Sequence, residues 1–128
     1  MNKSTKINKT FSIGVDGNEA NLEKRVGVNT YAFELLRSLS SLSAVTVGDV
    51  SITVYLKSEP LPHMPKASDN FKYKVIPGGS LWIIRYLMPY LFTKGRHHDC
   101  FWTPSHYIPP FAPMPIVCSI MDLGYLTF

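Results

Sequence analysis

The period of the apolar residues changes twice before residue 57, and that constrains the fold more than any other feature of the chain. Phe11–Asp16 (FSIGVD) alternates β-branched and small residues and ends on a carboxylate, the pattern of a strand. Residues 17–25 (GNEANLEKR) are polar and rich in turn formers, so they predict a loop. From Gly27 the spacing changes. Val28, Tyr31, Ala32, Leu35, Leu39 and Leu42 recur at steps of three and four, which predicts an amphipathic helix running to about Leu42. Val50–Leu56 (VSITVYL) is β-branched again and predicts a second strand.

The remainder extends this alternation. Pro60, Pro62 and Pro65 make residues 57–70 an irregular loop. Residues 71–76 (FKYKVI) alternate apolar side chains with lysine, as a half-exposed edge strand does. Pro77, Gly78, Gly79 and Ser80 predict a turn with Ser80 as N-cap. Residues 81–92 (LWIIRYLMPYLF) predict a helix that is apolar nearly all round, hence buried or docking a partner, with a kink at Pro89. Residues 99–102 (DCFW) form a short strand, residues 103–115 are broken by five prolines, and residues 116–120 (IVCSI) read as a strand covered on both faces. The order strand, helix, strand, strand, helix, strand, strand predicts an α/β layer fold on a mostly parallel sheet. In a doubly wound fold a helix should follow the last strand, so the chain is expected to be truncated.

Length allows one domain at most. Hydrophobic residues at 45% and charged residues at 17% describe a folded chain rather than a disordered one. A net charge of +4 and a pI near 9.1 suit anionic ligands such as nucleotide phosphates, or a loose hold on an acidic membrane surface. The basic residues form no dense run, which argues against nucleic acid. Cys100 and Cys118 lie in or beside apolar runs and read as buried thiols in a reducing compartment. The polar, lysine-dotted first ten residues are expected to be flexible and lack the apolar stretch of a signal peptide. Residues 81–92 fall short of the roughly 20 residues that span a bilayer. The chain therefore reads as cytoplasmic, with a peripheral contact at the inner membrane face.

Three features bear on chemistry. Gly27 opens the first helix, where free amides and the helix dipole favour a phosphate. The turn is not GxGxxG, so the dinucleotide fingerprint is missing, and a glycine there also serves a purely conformational need. Ser105, His106 and Tyr107 follow the strand ending at Trp102, at the carboxyl end of the sheet where α/β folds hold ligands. They suit sugar hydroxyls and equally an ordinary polar loop. Asp122 follows the last strand and could orient a ligand hydroxyl or cap a helix. Asp16 ends the first strand. Trp82, Tyr86, Tyr90 and Phe92 share the second helix, where core packing competes with a carbohydrate-stacking or membrane-facing role. His63, His97 and His98 fall in polar loops and read as solvated, with no spaced partners to hold a metal.

The stretch IGVDGNEANLEKRVGVNTYAFELLRSL resembles the opening of family 4 glycosyltransferases: a strand ending in Asp, a variable loop, a Gly-hydrophobic pair, then a helix with Tyr and a Glu-Leu-Leu core. Downstream, Leu81-Trp82, Pro89, residues 99–104 (DCFWTP), the proline-rich loop and an apolar strand ending at Asp122-Leu123 resemble the same family in order and spacing. The resemblance covers residues 12–128. It implies a glycosyltransferase-B fold, in which two Rossmann-like domains face each other across a cleft. Residues 11–128 would be part of the N-terminal, acceptor-side domain, and the C-terminal donor-binding domain with its paired-glutamate motif would be absent.

The implied activity is retaining transfer from a nucleotide-sugar donor to a glycan or lipid-linked acceptor, with no metal or other cofactor and no nucleic acid. By position, the backbone amides of Gly27 and Val28 would meet the donor diphosphate. Asp16, Trp82, Ser105, His106 and Asp122 would line the cleft or acceptor site. The family often carries His-Asp where this chain has Met121-Asp122, and a thioether neither donates a hydrogen bond nor shuttles a proton. The chain alone is expected to be inactive. The sequence leaves open a second reading, a non-catalytic α/β interaction or nucleotide-binding module.

Overall fold

The computed structural model describes residues 10–23, 28–46, 49–104 and 109–118. Five strands, β1 (Phe11–Asp16), β2 (Val50–Leu56), β3 (Phe71–Val75), β4 (Cys100–Thr103) and β5 (Ile116–Cys118), form one sheet in the order β3-β2-β1-β4-β5. Every pairing is parallel. Helix α1 (Val28–Thr46) joins β1 to β2, and α2 (Met88–Thr93) lies between β3 and β4. The α/β expectation therefore holds, as a parallel sheet with helices.

Alternation along the strands divides the core in two. Ile13, Val15, Ile52, Val54, Leu56 and Phe71 pack with Ala32 and Leu36 of α1. Tyr55 and Phe101 point the other way and pack with Trp82, Leu87 and Leu91. Burial of each such side chain stabilises the fold by about 1.5–3 kcal/mol. Helix α1 runs a turn beyond the expected end. Leu42 is exposed and Ser43 is buried instead, its hydroxyl donating to the Ser40 carbonyl at 2.9 Å. With Ala32, Leu36 and Leu39 against the sheet, a 3.6-residue repeat brings position 43 to that face and turns 42 away.

The irregularity expected at Pro89 takes the form of a π-helical turn over Ile83–Leu87, in which the Met88 N–H bonds to the carbonyl of Ile83, and Pro89 then opens α2. Proline has no N–H, and its ring collides with the carbonyl four residues back in a regular helix. The wider turn ahead of it accommodates that ring. Three local expectations need correction. Ser80 does not cap the helix: the N-cap position is Trp82 with no side-chain bond, and Leu81 takes a left-handed φ of 58°. Of the two roles expected for the apolar segment, burial or docking a partner, full burial does not hold, because only Trp82, Leu87 and Leu91 are buried in it. Finally, β5 is not covered on both faces. It is an edge strand whose Val117 is 52% exposed, and Cys118 is exposed while Cys100 is half-buried, so neither thiol is a core residue. Val117 overlooks an apolar groove of about 270 Å³ bounded by Ile13, Leu35, Leu39, Cys100 and Trp102.

Among the described residues no helix is long and apolar enough to cross a membrane.

Candidate functional site

Helix α1 takes the chain from β1 to β2 on one side, whereas α2 returns it across β1 to β4. The winding therefore reverses between β1 and β4. Ligands of open α/β sheets lie outside the carboxyl ends of the strands beside such a reversal. A cavity of about 380 Å³ lies at that end, over β1 and β2. One wall is polar, from Asp16, Asn18, Glu19 and Lys57, and the other is residues 79–84, mostly apolar, from Gly79 to Ile84.

Asp16 is the last residue of β1 and is buried. Its Oδ1 accepts from the backbone and side-chain amides of Asn18, both at 3.1 Å. Burial pushes its carboxyl up to about 6, reinforced by the Glu19 charge and opposed by the Asn18 bonds and Lys57. Near neutral pH it can therefore hold or release a proton at the hydrogen-bonding wall of the cavity.

Two asparagines fix the loop that carries this wall. Asn18 Oδ1 accepts from the Lys57 amide at 2.9 Å. Asn21 accepts from the Leu61 amide at 2.8 Å and donates to the Glu59 carbonyl at 3.1 Å. Asn29, in the first turn of α1, donates to Glu19 Oε1 at 2.5 Å. The β1–α1 loop is thereby pinned to the β2–β3 loop and to α1, so the polar wall is set before any ligand arrives.

Trp82 faces the cavity but is buried, and its indole N–H donates to the Ile76 carbonyl at 2.6 Å. It secures the apolar wall rather than offering an open ring face. The structure thus brings Asp16 and Trp82 to one cavity. Val28 is the first residue of α1. Gly27, Ser105, His106 and Asp122, with Tyr107 and Met121, lie outside the described residues. Asn18, Glu19 and Lys57 were not singled out in the sequence. The Asp-Gly-Asn run at the end of β1 was the available signal, because Asx side chains close turns on their own backbone.

The histidines differ from expectation. His97 is exposed, but His63 is half-buried, its Nε2 3.3 Å from the Ala20 carbonyl. His98 is buried, with Nδ1 2.8 Å from Ser12 Oγ and Nε2 2.5 Å from Tyr55 Oη. A neutral imidazole accepts from one hydroxyl and donates to the other, satisfying both nitrogens. Burial lowers its pKa to about 4, with the His97 charge adding to the effect and Asp99 opposing it. Gly14 makes room for it: a Cβ there would stand 2.9 Å from the imidazole and 2.8 Å from the Phe101 ring. Ser12 and His98 sit at the amino ends of β1 and β4, and Tyr55 reaches them from β2, where its backbone pairs with Asp16; none of the three lines the cavity.

Among the described residues no group of three His, Cys, Asp or Glu side chains could hold a metal ion. No protein-family model, curated protein or solved structure matches the chain.

Proposed function

We propose that this chain is the acceptor-side part of a nucleotide-sugar glycosyltransferase of the glycosyltransferase-B type, with a Rossmann-like domain that contributes one wall of the catalytic cleft. The carrying observation is the cavity over the carboxyl ends of β1 and β2, where the Asp16 carboxyl faces the apolar start of the second helical segment. The chemistry suits a saccharide. Asp16 and Lys57 can exchange hydrogen bonds with hydroxyls, while the aliphatic side chains of Leu81, Ile83 and Ile84 suit the apolar face of a sugar ring or the first carbons of a lipid carrier. Helix α1 begins at Val28, after the loop that follows β1, and a helix start is where free amides favour a phosphate such as a donor diphosphate. The diphosphate would leave under the field of that helix terminus and of groups from a second domain.

The test is NMR titration of the labelled chain with methyl glycosides, together with a transfer assay. Glycosides should shift the Asn18 amides and the Trp82 indole, with millimolar affinity. Asp16→Asn should weaken binding about tenfold, as expected for losing a hydrogen bond to a charged group. The chain by itself should transfer no sugar. Turnover by the purified chain without a partner would overturn the half-site reading, and glycoside shifts that bypass the cavity would overturn the saccharide reading.

A further inference from the structure

Residues 70–98 hold Lys72, Lys74, Arg85, Lys94 and Arg96 and not one carboxylate. This segment thus carries more positive charge than the whole chain's net +4. Lys72 and Lys74 alternate outward from β3, and the Lys74 ammonium lies 5.5 Å from the Tyr90 ring centre of α2. The Arg85 guanidinium lies 5.9 Å from the Tyr86 ring centre. Arg96 folds back on the end of α2, donating to the Phe92 carbonyl at 3.3 Å.

The same segment turns apolar side chains to the exterior. Leu87 and Leu91 are buried, whereas Ile84 is 46% exposed and Phe92 38%, eight residues apart along the π turn and α2. Leu81, held in its left-handed conformation just ahead of the π turn, is 64% exposed. Arg85, Pro89, Lys94 and Arg96 of the same segment are exposed. Apolar residues with cations in the same segment are complementary to an anionic bilayer interface, where apolar side chains enter the headgroup boundary and cations meet lipid phosphates, and the nearby acids Asp16 and Glu19 belong to the far wall of the cavity. The other apolar opening, at Val117, has no charged side chain in its lining.

We propose that this segment docks the protein on an anionic lipid bilayer, with Ile84 and Phe92 entering the interface and Arg85, Lys94 and Arg96 contacting the headgroups. Leu81 and Ile84 belong both to the docking segment and to the cavity wall, so the cavity mouth meets the membrane surface. The proposal does not depend on the glycosyltransferase reading, because plain phospholipid is the probe.

Flotation of the full chain with phosphatidylglycerol-containing vesicles and with pure phosphatidylcholine vesicles tests it. Binding should be at least about tenfold stronger to the anionic vesicles, since each basic residue at such a surface contributes roughly a factor of five. It should fall away between about 50 mM and 500 mM salt as the charges are screened. Ile84→Ser/Phe92→Ser and Arg85→Glu/Arg96→Glu alter exposed positions and should each lower binding about tenfold or more, with circular dichroism unchanged. Phe111→Ser, at another exposed aromatic, should leave binding intact. Equal binding to both vesicle types, binding unchanged in both double variants, or an equal loss in Phe111→Ser overturns the proposal. So does self-association in sedimentation that the double variants abolish, which would make a second copy of the chain the occupant.

Discussion

Among the described residues, Leu81 is the one whose backbone least suits its side chain. Its φ of 58° places it in the left-handed region, which costs an L-residue with a Cβ roughly 1–2 kcal/mol. Its side chain is mostly exposed, so little burial offsets that cost. Glycine removes the strain but adds about 0.5–1 kcal/mol of chain entropy to the unfolded state. Leu81→Gly should therefore raise the urea unfolding free energy by roughly 0.5–1 kcal/mol, while Leu81→Ala, which keeps the Cβ, should not. A loss of stability in the glycine variant would show that the Leu81 side chain contributes more than its exposure indicates. The strain also falls on the rim of the cavity, where the chain enters the apolar wall.

At the scale of elements, the segments with a clear repeat were legible and the exceptions have local causes. The 3.6-residue spacing in α1, the β-branched run of β2 and the lysine alternation of β3 each encode one buried face, and each element forms within a few residues of its expected bounds. What could not be read was context. Whether Val117 is covered depends on what lies over the sheet edge. Whether His98 is solvated depends on the missing side chain at Gly14, and a glycine inside a strand was the clue to that close approach. The cavity was half legible: Asp16 and Trp82 were chosen for their places in the elements, whereas Asn18 and Lys57 meet only through the pairing of two loops. Those loops carry a prediction of their own. Asn21→Ala removes the side-chain partners of the Glu59 carbonyl and the Leu61 amide, both part-buried bonds, so it should destabilise the fold by about 1–2 kcal/mol. The Leu61 amide should exchange faster by a comparable free energy. Loss of stability with an unchanged Leu61 exchange rate would mean that the side chain acts elsewhere.

Across the whole molecule, two buried titratable groups oppose each other. Asp16, raised from 3.8 to about 6 chiefly by burial, binds its proton more tightly in the folded state than in the unfolded chain. Its ionisation therefore costs folding free energy that is fully present above about pH 6 and relieved as the pH falls toward 3.8. His98, lowered from 6.5 to about 4 chiefly by burial, binds its proton less tightly when folded. Its contribution is intact above pH 6.5 and lost as the pH falls toward 4. Each shift corresponds to a few kcal/mol at most, on the order of 3, and the two have opposite slopes between about pH 4 and 6. The pair should therefore leave parent stability nearly level across that window. Asp16→Asn keeps an acceptor for Asn18 and removes the charge, so its stability relative to the parent should be greatest above pH 6 and shrink as the pH is lowered to 4. His98→Gln keeps hydrogen-bonding capacity and removes the titration, so relative to the parent it should gain as the pH falls over the same range, whatever its loss of packing. Urea midpoints of the three proteins from pH 4 to 7.5 measure these differences. Variants whose curves run parallel to the parent would show that neither group titrates across its burial, and that the carboxyl at the cavity wall stays ionised as an ordinary surface acid does.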